Sequence, residues 1–347
     1  MKNHTTCRVC GCENLIPYLD LGMMPLSNNL ASSILDPIHN EKYPLKVVFC
    51  PDCGLSQLSV VIEPEKLFGH YVYRSSISQG YKDHCRAMAI DLREKFNLNK
   101  DSFHIDIAGN DGALLSEFNK VIGGKILNVD PAENLAGICQ AANIPTLTFF
   151  WGMEVARRIV NCHGKADLIT ATNVFAHVDD VREFIQAAKH VLKPDGHLVL
   201  EFPYLINFIE GNEFDCIYFE HLSYFSINPL KILCEQAGMN ILRVEKYDIH
   251  GGSVRVIIGH GESDVTVNQF IKQEKESYFD IQVYYDFAKE VSRTIDGFKK
   301  GLSKLNGTVA GFAASAKGNT LLNSAGITCG TIKYLVDQTP EKIGKYS

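Results

Sequence analysis

Phe103–Gly112 reads FHIDIAGNDG, and Lys125–Asp130 reads KILNVD. Both are apolar runs of strand length, and a helical pattern follows each: DGALLSEF after the first, PAENLAGICQAA after the second. The alternation continues through ADLITAT, VDDVREFIQAAKHVLKPDG and HLVLEF. Strands alternating with helices predict an α/β, doubly wound parallel sheet. Farther on, ILRVEKYDI and SVRVIIGH flank His250-Gly251-Gly252. They predict two strands joined by a short loop, an antiparallel edge on that sheet.

The turn closing the first strand is Asp106-Ile107-Ala108-Gly109-Asn110-Asp111-Gly112. Glycines there let the backbone approach a ligand, in the crevice where open α/β sheets bind cofactors. Asp130 ends the second strand about twenty residues beyond Gly109, a distance at which a carboxylate accepts hydrogen bonds from ribose hydroxyls. An adenosine-type cofactor is expected. A nicotinamide enzyme would want G-x-G-x-x-G, and this chain has only G-N-D-G. Asp106 and Asp111 would repel a pyrophosphate but suit the amino group and sulfonium of S-adenosylmethionine. With the final hairpin, the pattern predicts a class I methyltransferase core. Asp106, Gly109, Asn110, Asp111, Gly112 and Asp130 would line its cofactor site. Thr172–His177 (TNVFAH) ends the fourth strand at the same edge. Asn173 is read as facing the cofactor, and His177 as a satisfied histidine at a helix start.

The chain has 347 residues, enough for two or three domains. Its net charge of −6 argues against a broad nucleic-acid footprint. No apolar run approaches a membrane span, and the N-terminus lacks a signal-peptide stretch. Eleven cysteines without an export signal predict a reducing, cytoplasmic setting. Four of them have a clear role. Cys7-Arg8-Val9-Cys10 and Cys50-Pro51-Asp52-Cys53 are two CxxC knuckles, each followed by glycine. Two knuckles supply the four thiolates of a closed, structural zinc site, with Cys12 a competitor for one position. The remaining cysteines are scattered in apolar or helical contexts and read mostly as small core residues.

Two further segments carry polar chemistry. Before the helix expected at about 81–96 lies HYVYRSSISQGY, read either as a surface linker or as a lid whose Tyr71 and Tyr73 touch a ligand. After the fifth strand comes FDCIYFEHLSYFS, where Tyr218, Glu220, His221 and Tyr224 cluster in the loop before a helix. Ser226 or Asn228 is expected to cap that helix. Carbon methylation needs a carbanion equivalent, most easily an enolate beside a ketone. His221 suits general base work, with Glu220 or another carboxylate orienting its ring and Tyr218 hydrogen-bonding the enolate oxygen. The plain alternative makes the tyrosines core aromatics and His221 a packed histidine. Near the end, Ser315-Ala316-Lys317-Gly318-Asn319-Thr320 follows the strand-like GTVAGFAA and opens a helix. Exposed N–H groups there, with Lys317, make a plausible diphosphate site without P-loop spacing.

Taken together, CRVCG, FCPDCG, YVYRSSIS, IAGNDGALL, TNVFAHV, EFPYL, YFEHLSYFS and GFAASAKGNTLLN resemble the zinc-containing sugar C-methyltransferases. These act on nucleotide-linked 4-keto-6-deoxysugars. The resemblance implies a zinc-binding N-terminal domain (1–75), an S-adenosylmethionine domain (76–262) and a Rossmann-like C-terminal domain that helps hold the nucleotide-sugar (263–347). It implies that His221 removes the proton from sugar C3, assisted by Tyr218 and Glu220. It also implies that Tyr71 or Tyr73 lines the active site with Tyr224, and that Lys317 and Asn319 bind the substrate. No nucleic acid, membrane or protein partner is expected. Two departures stand out: Phe219 occupies the place of a frequent histidine, and the family usually continues beyond Ser347, so the last domain is expected to be incomplete. The alternatives are methylation of oxygen or nitrogen on another small metabolite, or an inert zinc-bearing protein that binds nucleotide-sugar.

Overall fold

The structure is a computed structural model and describes residues 1–33, 35–36 and 41–346. In the N-terminal region, β1 (Lys2–Asn3) pairs with β5 (Val60–Val61). An antiparallel sheet comprises β2 (Ile16–Met24), β3 (Tyr43–Phe49) and β4 (Ser56–Leu58). Helix α1 (Pro64–Phe68) leads into the 71–78 segment.

The expected alternation follows. It runs α2 (Gln79–Phe96), β6 (Phe103–Ile107), α3 (Ala113–Val121), β7 (Lys125–Val129), α4 (Glu133–Ala141), β8 (Thr146–Leu147), α5 (Met153–His163), β9 (Ala166–Thr172), α6 (Val181–Val191), β10 (Leu192–Pro203) and α7 (Leu205–Glu210). After β11 (Ser223–Tyr224) and α8 (Ile227–Gln236) come β12 (Asn240–Tyr247) and β13 (Ser253–Gly259). The central sheet has seven strands in the order β12-β13-β10-β9-β6-β7-β8. Strands β6 to β10 are parallel, and β13 is antiparallel to both β10 and β12. The hairpin therefore forms the expected antiparallel edge, with β12 outermost. Its second strand slots between β10 and β12, and all seven residues of β13 are buried, which accounts for the continuous apolar run in SVRVIIG.

Two features tie the regions together. β11 leaves the methyltransferase segment and pairs with β4, matching Ser223 to Gln57 and Tyr224 to Ser56. The knuckle residues Cys7, Val9, Cys50, Cys53 and Leu55 share one apolar core with sheet and helix residues such as Phe175, Phe184, Phe202 and Phe225. The zinc region is thus a wall of the methyltransferase core.

The polar stretch from 265 forms α9 (Val265–Ser277) and α10 (Ile281–Leu302). Helix α10 buries Tyr284, Phe287 and Val291, one helical face. Tyr284 packs on Tyr18 and Phe49 of the N-terminal sheet, with ring centroids 5.1 and 4.4 Å apart. Burying Phe287 and Val291 contributes about 1.5–3 kcal/mol each. A final unit, β14 (Val309–Phe312), α11 (Ala316–Ser324) and β15 (Ile332–Val336), carries a parallel strand pair.

Candidate active site

The cofactor turn is built from backbone conformations that few residues adopt. Ala108, Asn110 and Gly112 all have positive φ, at 51°, 56° and 79°. A Cβ on Gly109 would lie 2.6 Å from both Asn128 Oδ1 and Asp106 Oδ2, so only glycine fits. The Gly109 N–H donates to Asn128 Oδ1 (3.1 Å) and the Asn110 N–H to Asp130 Oδ2 (2.8 Å). Asp130 Oδ1 accepts the Ala132 N–H at 2.9 Å. Asp106 is buried; Thr170 donates to its Oδ1 at 2.6 Å, and its Oδ2 has no partner. Burial, with Asp130 adding to it, raises the Asp106 carboxyl to about 7. An orphan buried acceptor beside a tight glycine turn fits the cationic cofactor expected from the sequence.

Asn110 and Asp111 have a second task. Asn110 Oδ1 accepts the Ser75 N–H (3.0 Å), and its Nδ2 donates to the Tyr73 carbonyl (3.1 Å). Asp111 accepts from the Ser76 N–H and, at 2.6 Å, from the Ser76 hydroxyl. These side chains hold the 71–78 segment over the turn, which fits the lid reading rather than the linker reading. Asn173, with φ of 55°, directly follows β9, and its N–H donates to the Glu201 carbonyl at 2.7 Å.

The segment 216–224 forms the other wall. The His221 Nδ1–H donates to the Cys216 carbonyl at 2.7 Å. A carbonyl only accepts, so Nδ1 carries the proton and Nε2 keeps a free lone pair. The orienting group is this backbone carbonyl, not the carboxylate expected from the sequence. Burial lowers the His221 imidazole to about 4, with Lys317 adding to the effect. Tyr218 lies against it, ring centroids 4.1 Å apart. Glu220 is 1 % exposed; Asn28 Nδ2 donates to its Oε1 at 3.0 Å, and its Oε2 is buried without a partner. Burial raises the Glu220 carboxyl to about 7. Two neighbouring groups therefore have their ionisations pushed apart and past one another, the pattern that separates an acceptor from a donor.

Tyr71, not Tyr73, joins this cluster. Burial and the nearby Glu220 raise its phenol, and its backbone is clamped by the Asn134 amide at 3.0 and 2.9 Å. Tyr73 is 45 % exposed. His177 ends the short helical turn 175–177 rather than starting a helix, and its ring stacks on His221 at 5.1 Å and on Phe68 at 5.4 Å. Sequence reasoning undervalued it, and it missed Asn28. The TNVFAHV stretch carried a signal for His177; Asn28, inside a turn-rich run, carried none.

The remaining expected positions are engaged in contacts within the protein. Tyr224 is 7 % exposed, stacks on Phe208 and has an unpartnered hydroxyl, the surroundings of a core aromatic. Lys317 donates to Glu213 Oε2 at 3.1 Å. Burial opposes its charge, but Cys216, Asp215 and Glu213 outweigh that and raise its pKa. Asn319 donates to the Ser27 carbonyl at 3.1 Å, tying α11 to the N-terminal region. Ser226 makes no cap bond; Glu274 instead accepts the Ile227 and Asn228 N–H groups at 2.7 and 2.8 Å.

The four knuckle sulfurs, of Cys7, Cys10, Cys50 and Cys53, lie within 4.8 Å of one another. Two of the separations are 3.5 Å. A tetrahedral zinc with 2.3 Å bonds needs edges of about 3.8 Å, so the cluster fits the ion. The knuckles match: Gly11 N–H donates to Cys7 O and Gly54 N–H to Cys50 O, each at 2.9 Å, with both glycines at positive φ. Cys12 is outside the cluster. None of the eleven cysteines is in a disulfide.

The strand order, the glycine turn and the acidic strand end define an S-adenosylmethionine-dependent methyltransferase with a zinc-binding domain. Comparison with known proteins agrees. Residues 7–68 match a zinc binding domain, 81–244 a methyltransferase domain, and 248–347 a C-methyltransferase C-terminal domain. C-methyltransferase NovU of Streptomyces niveus is 33 % identical, over 98 % of this chain and 82 % of that protein. The chain belongs to this C-methyltransferase family. Among solved structures, magnesium protoporphyrin IX methyltransferase of Synechocystis PCC 6803 is 13 % identical, covering 52 % of this chain and 80 % of that one, with a TM-score of 0.40. A methyltransferase of Anabaena variabilis is 18 % identical, covering 51 % and 84 %, with a TM-score of 0.41. No helix among the described residues is long and apolar enough to cross a membrane.

Proposed function

We propose that the chain methylates C3 of a nucleotide-linked 4-keto-6-deoxysugar through an enolate. The observation that carries this reading is the fixed His221 ring: Nδ1–H is held by the Cys216 carbonyl, and Nε2 is left as an acceptor on a ring packed against Tyr218 and His177. A proton α to a ketone is the kind that such an acceptor removes. Nε2 takes the C3 proton, the electron pair moves toward the C4 oxygen, and the Tyr218 hydroxyl donates a hydrogen bond to that oxygen. S-adenosylmethionine supplies the methyl group and the departing sulfur. Tyr71 and the 71–78 segment close the site against water. Lys317, at the start of α11, supports binding of the diphosphate.

Because the His221 imidazole lies near 4, it stays neutral across the physiological range. Activity therefore holds from about pH 8 down to pH 5 as far as this group is concerned, and falls as pH approaches 4. A second reading makes Glu220 the base, since its pKa near 7 is closer to the operating pH. The test incubates the protein with S-adenosylmethionine and thymidine- or guanosine-linked 4-keto-6-deoxysugars. Mass spectrometry then follows the one-methyl gain and exchange of the C3 hydrogen with deuterated solvent. His221→Asn is expected to lose both by about 10²–10⁴-fold. Wild-type exchange in that variant, with exchange lost in Glu220→Gln, would transfer the role to Glu220.

A further inference from the structure

Arg8 sits between the first two cysteines of the metal cluster, yet its side chain reaches out of the zinc region. It is 5 % exposed. Its Nε donates to Asp179 Oδ1 at 3.0 Å, and its Nη1 donates to the carbonyls of Leu58 (3.1 Å) and Leu222 (3.3 Å). Leu222 directly follows His221, and Asp179 lies two residues beyond His177. One guanidinium thus grips both loops whose imidazoles stack at 5.1 Å. The other end of the lever is equally fixed. The Arg8 N–H donates to Gln57 Oε1 at 3.0 Å, and the Val9 carbonyl accepts Arg182 Nε and Nη2 at 3.1 and 2.7 Å. Its flanking residues Cys7 and Cys10 are held in the sulfur cluster. Burying a guanidinium is costly, and an apolar side chain of similar volume fills such a space without that cost. Packing alone does not call for arginine here. A planar fork that spans two acceptors in fixed directions does.

We propose that Arg8 is a positioning residue for His221. It transmits the rigidity of the zinc knuckle to the loop bearing the base and sets that loop against the loop bearing His177. This rests on His221 being the proton acceptor, but the test needs no sugar, so a wrong substrate leaves it intact. The zinc-loaded full chain, with S-adenosylhomocysteine and ¹⁵N-labelled histidine, is followed by NMR, and His221→Asn assigns the ring signals. In the wild type the Nδ1–H···Cys216 bond holds one tautomer, giving two well-separated nitrogen signals. Arg8→Lys keeps the charge but cannot span both acceptors. Its zinc content and cofactor-product affinity are expected to stay at wild-type values, while the two His221 signals move together. On the active substrate, kcat falls about 10–100-fold with KM nearly unchanged, the scale of a small misplacement of the reacting group. A lower melting temperature with the locked tautomer and wild-type kcat overturns the proposal. Should Arg8→Lys lose zinc or fail to fold, Asp179→Asn breaks the same clamp from outside the metal site. Averaged His221 signals there support the proposal, and unchanged ones overturn it.

Discussion

The cofactor turn and the His221 segment are both loops at the carboxyl edge of one sheet, but they are held in different ways. The turn 106–112 is shaped by its own backbone and by neighbours on adjacent strands: Asn128, Asp130 and Thr170. The 216–224 segment takes its ring orientation from one local carbonyl and nearly everything else from far along the chain. Asn28 holds Glu220, β4 pairs with β11, Arg8 holds Leu222, and His177 stacks on His221. The cofactor site is therefore a property of the methyltransferase sheet. The acceptor site is a property of the assembled chain.

Removing zinc should separate the two most strongly. A chelator, or Cys50→Ser, frees the knuckle that carries Arg8 and the strand beside β11. Methyl transfer should drop by more than about 100-fold as the base loses its position. Binding of S-adenosylhomocysteine, read by calorimetry, should change by less than about twofold, as for well-separated sites. Equal loss of both would erase the distinction. Gly109→Ala is the converse. Its methyl would press on Asn128 and Asp106, a misfit of about 1–3 kcal/mol. Cofactor affinity should fall about tenfold, while ring signals from His221 stay as in the wild type.

A pH experiment sharpens the comparison on the acceptor side. Glu220 is an acid whose folded pKa, about 7, lies above its unfolded value. The folded state binds this proton more tightly, so the group's contribution to stability is fully present below about pH 4.5 and is lost as pH rises to 7. Glu220→Gln should remove that decline, on the order of 3 kcal/mol, visible as a flatter melting temperature between pH 5 and 7. The opposite trend belongs to His221. Its folded pKa is depressed, so stability rises with pH from about 4 to 6.5. A wild-type-like slope in Glu220→Gln would place the carboxyl in water. The smallest effect is expected from Tyr224→Phe. Its buried hydroxyl has no partner, so its removal should leave stability equal or slightly higher. A marked loss of kcat/KM there would return Tyr224 to the substrate site.

The amino-acid sequence is most informative where the determinants are local. Strand periodicity, the G-N-D-G turn, the acidic residue ending the second strand and the paired CxxC knuckles are each legible within a dozen residues. Each is set by backbone sterics or ligand valence, which depend on residue type at fixed spacing. The antiparallel edge hairpin was legible, but not that β13 rather than β12 would pair with β10, because hydrophobic alternation gives a strand's burial but not its neighbours. Lys317 and Asn319 read in sequence as substrate-binding residues, and only packing of α11 supplied Glu213 and the Ser27 carbonyl as their partners.

The sequence by itself determined the class of sheet, the four-cysteine cluster and the glycine turn that ends the first strand of the sheet. Tertiary structure decided the working state of the His221 segment. Which imidazole nitrogen is free depends on the Cys216 carbonyl, and the ionisation of Glu220 depends on burial that no residue spacing encodes. Hydrogen-bond direction and desolvation are properties of assembled surroundings, and here those surroundings come from segments as far apart as Arg8, Asn28 and His177.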